Sequence, residues 1–213
     1  MEVERSLLED NDRRAEALRK RLAARGIEAV GLLGSPGAGK TALLEATLRA
    51  LGQGAAREAV VEGDCATDLD ARRVAACGAR VAQVATGSLC HLDAHLVEHA
   101  LADLDLAGVR RLWIENVGNL VCPAPFACGE SRRVVLVSVT EGDDKPEKYP
   151  SMFAAADLLV VSKLDLLPHV DFDLERCLAG ARRAKPGIAT LALSARDGTG
   201  LDGWLRWLGA EGA

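Results

Sequence analysis

Residues 34–41 read Gly34-Ser35-Pro36-Gly37-Ala38-Gly39-Lys40-Thr41, a G-x-x-x-x-G-K-T run. An apolar segment over 27–33 precedes it and a helix-compatible segment over 42–51 follows. Strand, glycine-rich loop and helix in that order are the context of a phosphate-binding P-loop. Gly37 and Gly39 can take backbone angles that turn successive N–H groups inward around phosphate oxygens. The new helix offers unpaired N–H groups and the positive end of its dipole. Lys40 is placed to reach the β- and γ-phosphates, and the Thr41 hydroxyl to hold Mg²⁺.

The rest of the chain alternates strands with helices. Strands are expected over 57–61, 80–85, 109–114, 133–139, 158–161 and 188–193. Helices are expected from Asp68, an N-cap, through Ala76, and over 91–104, 174–184 and 201–208. This alternation predicts an α/β fold: one P-loop domain over 27–213, with a mostly parallel sheet covered on both faces. Residues 1–26 read as a charged leading helix packed on the domain through a stripe of Leu7, Leu8, Ala15, Leu18 and Leu22, with Gly26 closing it. Trp204 and Trp207, at i and i+3, read as core contacts.

With 213 residues, 49% apolar and 27% charged, the chain has enough material for one full core. A formal charge of −5 and a pI near 5.5 argue against a nucleic-acid partner. No apolar run has membrane-spanning length, and the first residues lack the order of a signal peptide, so a cytoplasmic location is expected. Six cysteines in such a compartment are expected to be thiols serving metal or packing.

Open α/β sheets bind ligands at the carboxyl ends of their strands. Two acidic strand tips stand there. Asp64 is a candidate Mg²⁺ ligand, with Asp68 a weaker one. Glu115 is followed by Gly118: Glu115 can act on Mg²⁺ or on an attacking water, and the Gly118 N–H can approach a terminal phosphate. A loop-capping glutamate is the plainer alternative. The polar loop over 140–150 reads as a mobile element or a solvated connection.

The late segment chooses the base. Asp165, in Ser162-Lys163-Leu164-Asp165, can accept from N1–H and the 2-amino group of guanine. Adenine has neither donor, so a buried carboxylate there would go unpaired at a cost of about 1–3 kcal/mol. Lys163 can lay its alkyl stem over the base, and Ser194-Ala195 can offer a backbone N–H to guanine O6. P-loop, S-K-x-D and S-A-R together resemble the P-loop GTPases. Their usual base motif begins with Asn; Ser162, being shorter, is not expected to tie base and P-loop together in the same way, which predicts weaker guanine affinity with selectivity kept by Asp165.

Three further stretches carry a closer resemblance: Gly87-Ser88-Leu89-Cys90-His91-Leu92-Asp93-Ala94, Ile114-Glu115-Asn116-Val117-Gly118-Asn119-Leu120-Val121-Cys122-Pro123 and Thr140-Glu141-Gly142-Asp143-Asp144-Lys145-Pro146. Together they look like the hydrogenase nickel-incorporation GTPases, over nearly the whole chain; the urease-type nickel GTPases share the architecture but match these loops less well. The resemblance implies a GTPase and metallochaperone that assists nickel insertion into [NiFe]-hydrogenase; with no evident arginine finger or catalytic Gln, slow intrinsic turnover is expected. It also implies a GTP-dependent homodimer, a small zinc- or nickel-binding maturation partner and a hydrogenase large-subunit precursor as client. Its implied metal ligands are Cys90, His91 and Cys122, a sulfur and imidazole set that suits Ni²⁺ or Zn²⁺. Three ligands from one chain leave a site for two copies to complete. The N-terminal His-rich tract or Cys-rich motif of many members does not occur in this sequence, so metal storage is not expected. His95 and His99, spaced from His91 at i+4 and i+8, read as a solvated face, with an auxiliary metal site as the alternative. Cys65, Cys128 and Cys177 are read as non-ligands. A P-loop small-molecule kinase and a non-enzymatic metal-binding protein are the rivals from other classes.

Overall fold

The computed structural model describes residues 2–64, 68–87 and 89–209, and the side chains of 2–4 and 64 lie outside that description. Seven strands form one parallel sheet: β1 (Glu28–Gly34), β2 (Glu58–Asp64), β3 (Arg80–Ala85), β4 (Arg111–Glu115), β5 (Arg132–Ser138), β6 (Leu158–Ser162) and β7 (Ala189–Ala192). Their order is β3-β2-β4-β1-β5-β6-β7. The early strands lie on one side of β1 and the late strands on the other, so the order reverses at β1. The crevice at such a reversal, beyond the carboxyl ends of the strands, is where open sheets bind ligands. The loop that begins at Gly34 leaves from that point.

Strand residues alternate between two apolar layers. Val30, Leu32, Val60, Trp113, Val134 and Leu136 face one layer with α2 (Lys40–Leu51), α3 (Leu69–Ala75) and α8 (Leu201–Trp207). On the opposite face, Ala59, Val61, Leu112 and Ile114 meet α1 (Glu2–Ala24) and α4 (Ala94–Ala102), while Val135, Val137 and Val161 meet α6 (Pro150–Ala154) and α7 (Leu174–Ala184). The short α5 (Lys145–Lys148) lies in the polar loop before α6. Trp204 is fully buried, stacks on Trp207 and donates from Nε1 to Thr47 Oγ1 at 2.8 Å, which makes it a core residue.

Helix α1 packs through Ala15, Leu18 and Leu22, all buried, whereas Leu7 at its outer end is 62% exposed. The expected stripe is therefore shorter than the sequence pattern. The first half of α1 is carried by exposed pairs such as Arg5–Glu9 and Arg14–Asp10, each spaced i,i+4. Buried Asn11 joins α1 to the rest: Nδ2 donates to Ala127 O at 3.0 Å, and Oδ1 accepts from Ala94 N at 3.0 Å.

Helix α4 begins later than its apolar pattern suggests. The Asp93 carboxylate accepts from Leu96 N at 2.8 Å and sets the start at Ala94. His91 therefore precedes the helix, and only His95 and His99 share a helical face, their rings edge to face at 4.7 Å. Among the described residues, no helix is long and apolar enough to cross a membrane.

Candidate functional site

The P-loop takes the backbone form its residues allow. Gly37 has φ 75° and Gly39 φ 93°, both in the region that favours glycine, and α2 starts directly at Lys40. Beside the loop lies a cavity of about 350 Å³ lined by Pro36, Gly37, Gly39, Lys40, Thr41, Glu62, Asp70, Arg73, Glu115, Asn116 and Gly118. Lys40 folds back over the loop, with Nζ 3.5 Å from Ser35 O.

At the floor of this cavity the Thr41 hydroxyl donates to Glu115 Oε1 at 2.7 Å. Glu115 is 3% exposed, and its Oε2 is buried without a hydrogen-bond partner among the described residues. Burial raises its pKa from 4.5 to about 7, against the pull of Lys40 and the Thr41 hydroxyl. A buried carboxylate oxygen with an unused lone pair, next to a P-loop threonine, fits a hard divalent cation with oxygen ligands. Glu62 stands opposite Glu115 in the β2–β4 register and is equally buried. The Asp64 side chain, the other expected Mg²⁺ ligand, lies outside the described residues.

Gly118 presses against the loop: a Cβ there would sit 2.7 Å from both the N and Cα of Pro36. The absence of a side chain is what lets this segment lie against the loop.

The far side of the loop opens into a second cavity of about 360 Å³, lined by Gly39, Ala42, Ser162, Lys163, Asp165, Ser194, Ala195 and Arg196. The two cavities share Gly39 and Ala42 in their walls and so lie side by side along the loop. Asp165 is oriented by Ser194, whose hydroxyl donates to Oδ1 at 2.7 Å. Lys163 has φ 57°. The Ser162 hydroxyl donates to Ala38 O at 2.6 Å, which ties β6 to the P-loop. A serine spans this gap because β6 delivers it directly under the loop.

The cysteine-bearing loops lie next to the phosphate end. Cys90 Sγ is 3.6 Å from His91 Nδ1, and the His91 ring packs on Phe126 with centroids 4.3 Å apart. Partial burial lowers the His91 pKa, with Asp93 opposing, so the imidazole favours the neutral form that binds metals. Cys122 is half-buried in the loop that follows Asn119. Among the described residues, no cluster of three Cys, His, Asp or Glu side chains forms a ready-made metal site in one chain. Cys128 and Cys177 are buried, and burial pushes the Cys177 thiol up to about 12 and Cys128 well above its ordinary value. Such thiols are poor ligands. Cys65 lies outside the described residues.

A family model described as CobW/HypB/UreG, nucleotide-binding domain, matches residues 28–192. The chain belongs to the CobW/HypB/UreG family. Within that family it is similar to the hydrogenase maturation factor HypB of Azotobacter vinelandii, with 51% identity over 208 residues, covering 98% of this chain and 68% of the relative. Its fold matches the crystal structure of HypB from Archaeoglobus fulgidus, with a TM-score of 0.86 and 39% identity over 93% of this chain and 97% of the other. It also matches HypB from Helicobacter pylori in complex with nickel, with a TM-score of 0.88 and 35% identity over 93% of each chain.

Several residues of this CobW/HypB/UreG domain escape sequence reasoning. Glu62, Asp70, Arg73 and Asn116 line the phosphate cavity. Arg73 is the cation nearest in kind to a catalytic arginine, yet it is held elsewhere: Nη2 and Nε contact Glu45 at 2.8 and 3.1 Å, and Nη1 contacts Asp70 at 2.7 Å. In sequence Arg73 is only one of two basic residues in the last turn of α3, and nothing there marks it. Asn116 signalled itself by following Glu115 at a strand tip, but its partners, Leu92 N and Cys128 Sγ, are distant in sequence.

Proposed function

We propose that this chain is a cytoplasmic, GTP-hydrolysing metallochaperone that assists nickel insertion into [NiFe]-hydrogenase. GTP binding favours a homodimer and sets metal affinity; hydrolysis relaxes both. One observation carries the coupling: the segment from Glu115 to Cys122 is bonded at one end to the P-loop threonine and bears Cys122, a proposed metal ligand, at the other.

In this reading GTP lies across the two neighbouring cavities. Asp165 accepts from the guanine edge, Lys163 covers the base, and Ala195 N–H meets O6. The P-loop residues Gly34 to Thr41 surround the phosphates, with Lys40 countering their charge. Thr41 and Asp64 would hold Mg²⁺, which would neutralise charge on the phosphate oxygens. Water attacks the γ-phosphorus, its bond to the β–γ bridging oxygen breaks, and GDP and phosphate leave. Glu115 is the proposed acceptor of the water's proton, and the Gly118 N–H the proposed contact to the terminal phosphate. With Arg73 engaged by Glu45 and Asp70, Lys40 is the one cation left to the transition state among the described residues that line the phosphate cavity, so turnover is slow.

Cys90, His91 and Cys122 are the proposed Ni²⁺ or Zn²⁺ ligands, shared by two protomers at the dimer face. The maturation partner and the hydrogenase large-subunit precursor are the proposed donor and recipient. Similarity to the curated maturation factors supports this role.

Titration of Ni²⁺ and of Zn²⁺ into wild type and Cys122→Ala, with GDP and with a nonhydrolysable GTP analogue, tests the reading alongside sizing chromatography. The expected result is a metal affinity that differs at least about tenfold between the two nucleotide states, a dimer with the analogue, and loss of tight binding in the variant. Identical oligomeric state and affinity with both nucleotides would overturn it.

A further inference from the structure

If nucleotide occupancy is to govern metal binding, some group has to join the P-loop to both cysteine loops. Asn119 touches all three. Its backbone N–H donates to Gly34 O at 2.9 Å, making an isolated antiparallel bridge onto the first residue of the P-loop. Its side-chain Oδ1 accepts from Val121 N at 2.8 Å and from Cys122 N at 3.3 Å. Its Nδ2 donates to Cys90 O at 3.3 Å. Chemistry fixes this amide orientation, because the reverse would set NH₂ against two N–H donors and oxygen against a carbonyl.

The neighbouring residues make Asn119 the movable part. Asn116 is buried and anchored: its N–H donates to Leu32 O, and its Oδ1 accepts from Leu92 N just after His91. Gly118 lies on the backbone of Pro36, leaving no slack between this segment and the P-loop. Asn119 is half-exposed, at the edge of the segment. A shift of the P-loop or of Gly118 on phosphate binding therefore moves Asn119 through its backbone, and Asn119 passes the movement through one planar amide to Cys90 and Cys122.

The geometry points to Asn119 as a positioning residue that converts nucleotide state into the relative placement of Cys90 and Cys122. It binds neither metal nor nucleotide through its side chain. This inference rests on the nucleotide-controlled metal binding proposed above and identifies the link that performs it.

Two substitutions divide the link. Asn119→Asp keeps the acceptor for Val121 and Cys122 N–H but loses the donor to Cys90 O, opposing a carboxylate to a carbonyl. Asn119→Ala loses both contacts. Ni²⁺ affinity is measured for wild type and both variants with GDP and with a nonhydrolysable GTP analogue, and the quantity read is the ratio of the two affinities. The ratio is expected to fall to within twofold of one in both variants, with GDP affinity within threefold of wild type. A role confined to holding the loop would shift both affinities by one common factor and leave the ratio intact, and that result overturns the inference. A wild-type ratio of one removes the proposed function and this inference together; a wild-type ratio far from one that persists in the variants removes the inference alone. Hydrogen exchange of wild type needs no variant to fold: protection of the Val121 and Cys122 amides is expected to differ at least tenfold between the two nucleotides, and equal protection counts against the link.

Discussion

At the scale of single residues, the phosphate site keeps a carboxylate where a carboxylate is unwelcome. Burial of Glu115 raises its pKa from 4.5 to about 7, with Lys40 and the Thr41 hydroxyl only partly offsetting it. In the nucleotide-free protein this has a definite sign. Between those values the folded chain holds a proton that the unfolded chain has released, so stability falls as pH rises from about 4.5 to about 7 and is level above. Glu115→Gln keeps an acceptor for Thr41 and removes the charge. The penalty removed is at most ~3 kcal/mol. For a chain of this size each kcal/mol moves Tm by roughly 2–4 °C. The variant without nucleotide and in EDTA should therefore melt several degrees higher than wild type at pH 8 and almost together with it at pH 5, while its GTP hydrolysis falls by about 100-fold or more. Thermal melts across that range check the first part and phosphate release the second. Lower stability of the variant at pH 8 would mean that the carboxylate is better accommodated than its orphaned oxygen indicates.

Among elements, the decisive contact is between the segment after β4 and the P-loop after β1, two adjacent strand ends. Gly118→Ala places a Cβ 2.7 Å from the Pro36 backbone, and neither side can yield by rotating a side chain. The loops must separate. GDP and GTP-analogue affinities are expected to drop by about tenfold or more, with the melting temperature of the nucleotide-free protein changed by only a few degrees; fluorescence titration with a labelled guanine nucleotide measures it. This contact also shows how far the sequence could be read. The P-loop and the strand–helix alternation are local patterns, so the loop at Lys40 and Thr41 and the element order were legible; Asp165 and Ser194, far apart in sequence, line one cavity. Distances between elements were not legible. The side chain of Ser162 is visibly short, but only the placement of β6 under the loop reveals that it reaches Ala38 O. The helical pattern around Leu92 and Leu96 ran through His91, while Asp93 capping Leu96 N started α4 later. Leu92 is instead fully buried against β2, where a Cβ on Gly63 would lie 2.7 Å from it. Asn119 remained unmarked because its partners, Gly34 and Cys90, are brought to it only by the sheet order.

Over the whole molecule, the layers are joined beneath the sheet by a charge that the nucleotide site does not use. Arg111 on β4 is 2% exposed. It contacts Glu28 on β1 at 3.1 Å and Glu58 on β2 at 3.5 Å, and it donates to Leu208 O, just after α8, at 2.9 Å. Glu58 also accepts from Trp113 Nε1 at 2.7 Å. One guanidinium thus holds three strands and the last helix together at the end of the sheet opposite the P-loop. Arg111→Met leaves Glu58 buried without its cation, and breaking a buried pair in this way costs ~3–5 kcal/mol, a fall of roughly 10 °C or more in Tm. Burial already raises the Glu58 pKa while Arg111 opposes it, so losing Arg111 raises it further. A raised carboxyl pKa costs stability as pH climbs through it, so the deficit of the variant should be smaller at pH 5 than at pH 8. Glu58→Gln added to Arg111→Met removes the stranded charge yet still accepts from Trp113, and the double variant should recover about half of the loss or more. Denaturant melts of the four proteins at both pH values complete the cycle. Additive costs would mean that Arg111 acts through Leu208 and Glu28 alone; a recovery confined to pH 8 would place the penalty on the ionised Glu58, as its burial requires.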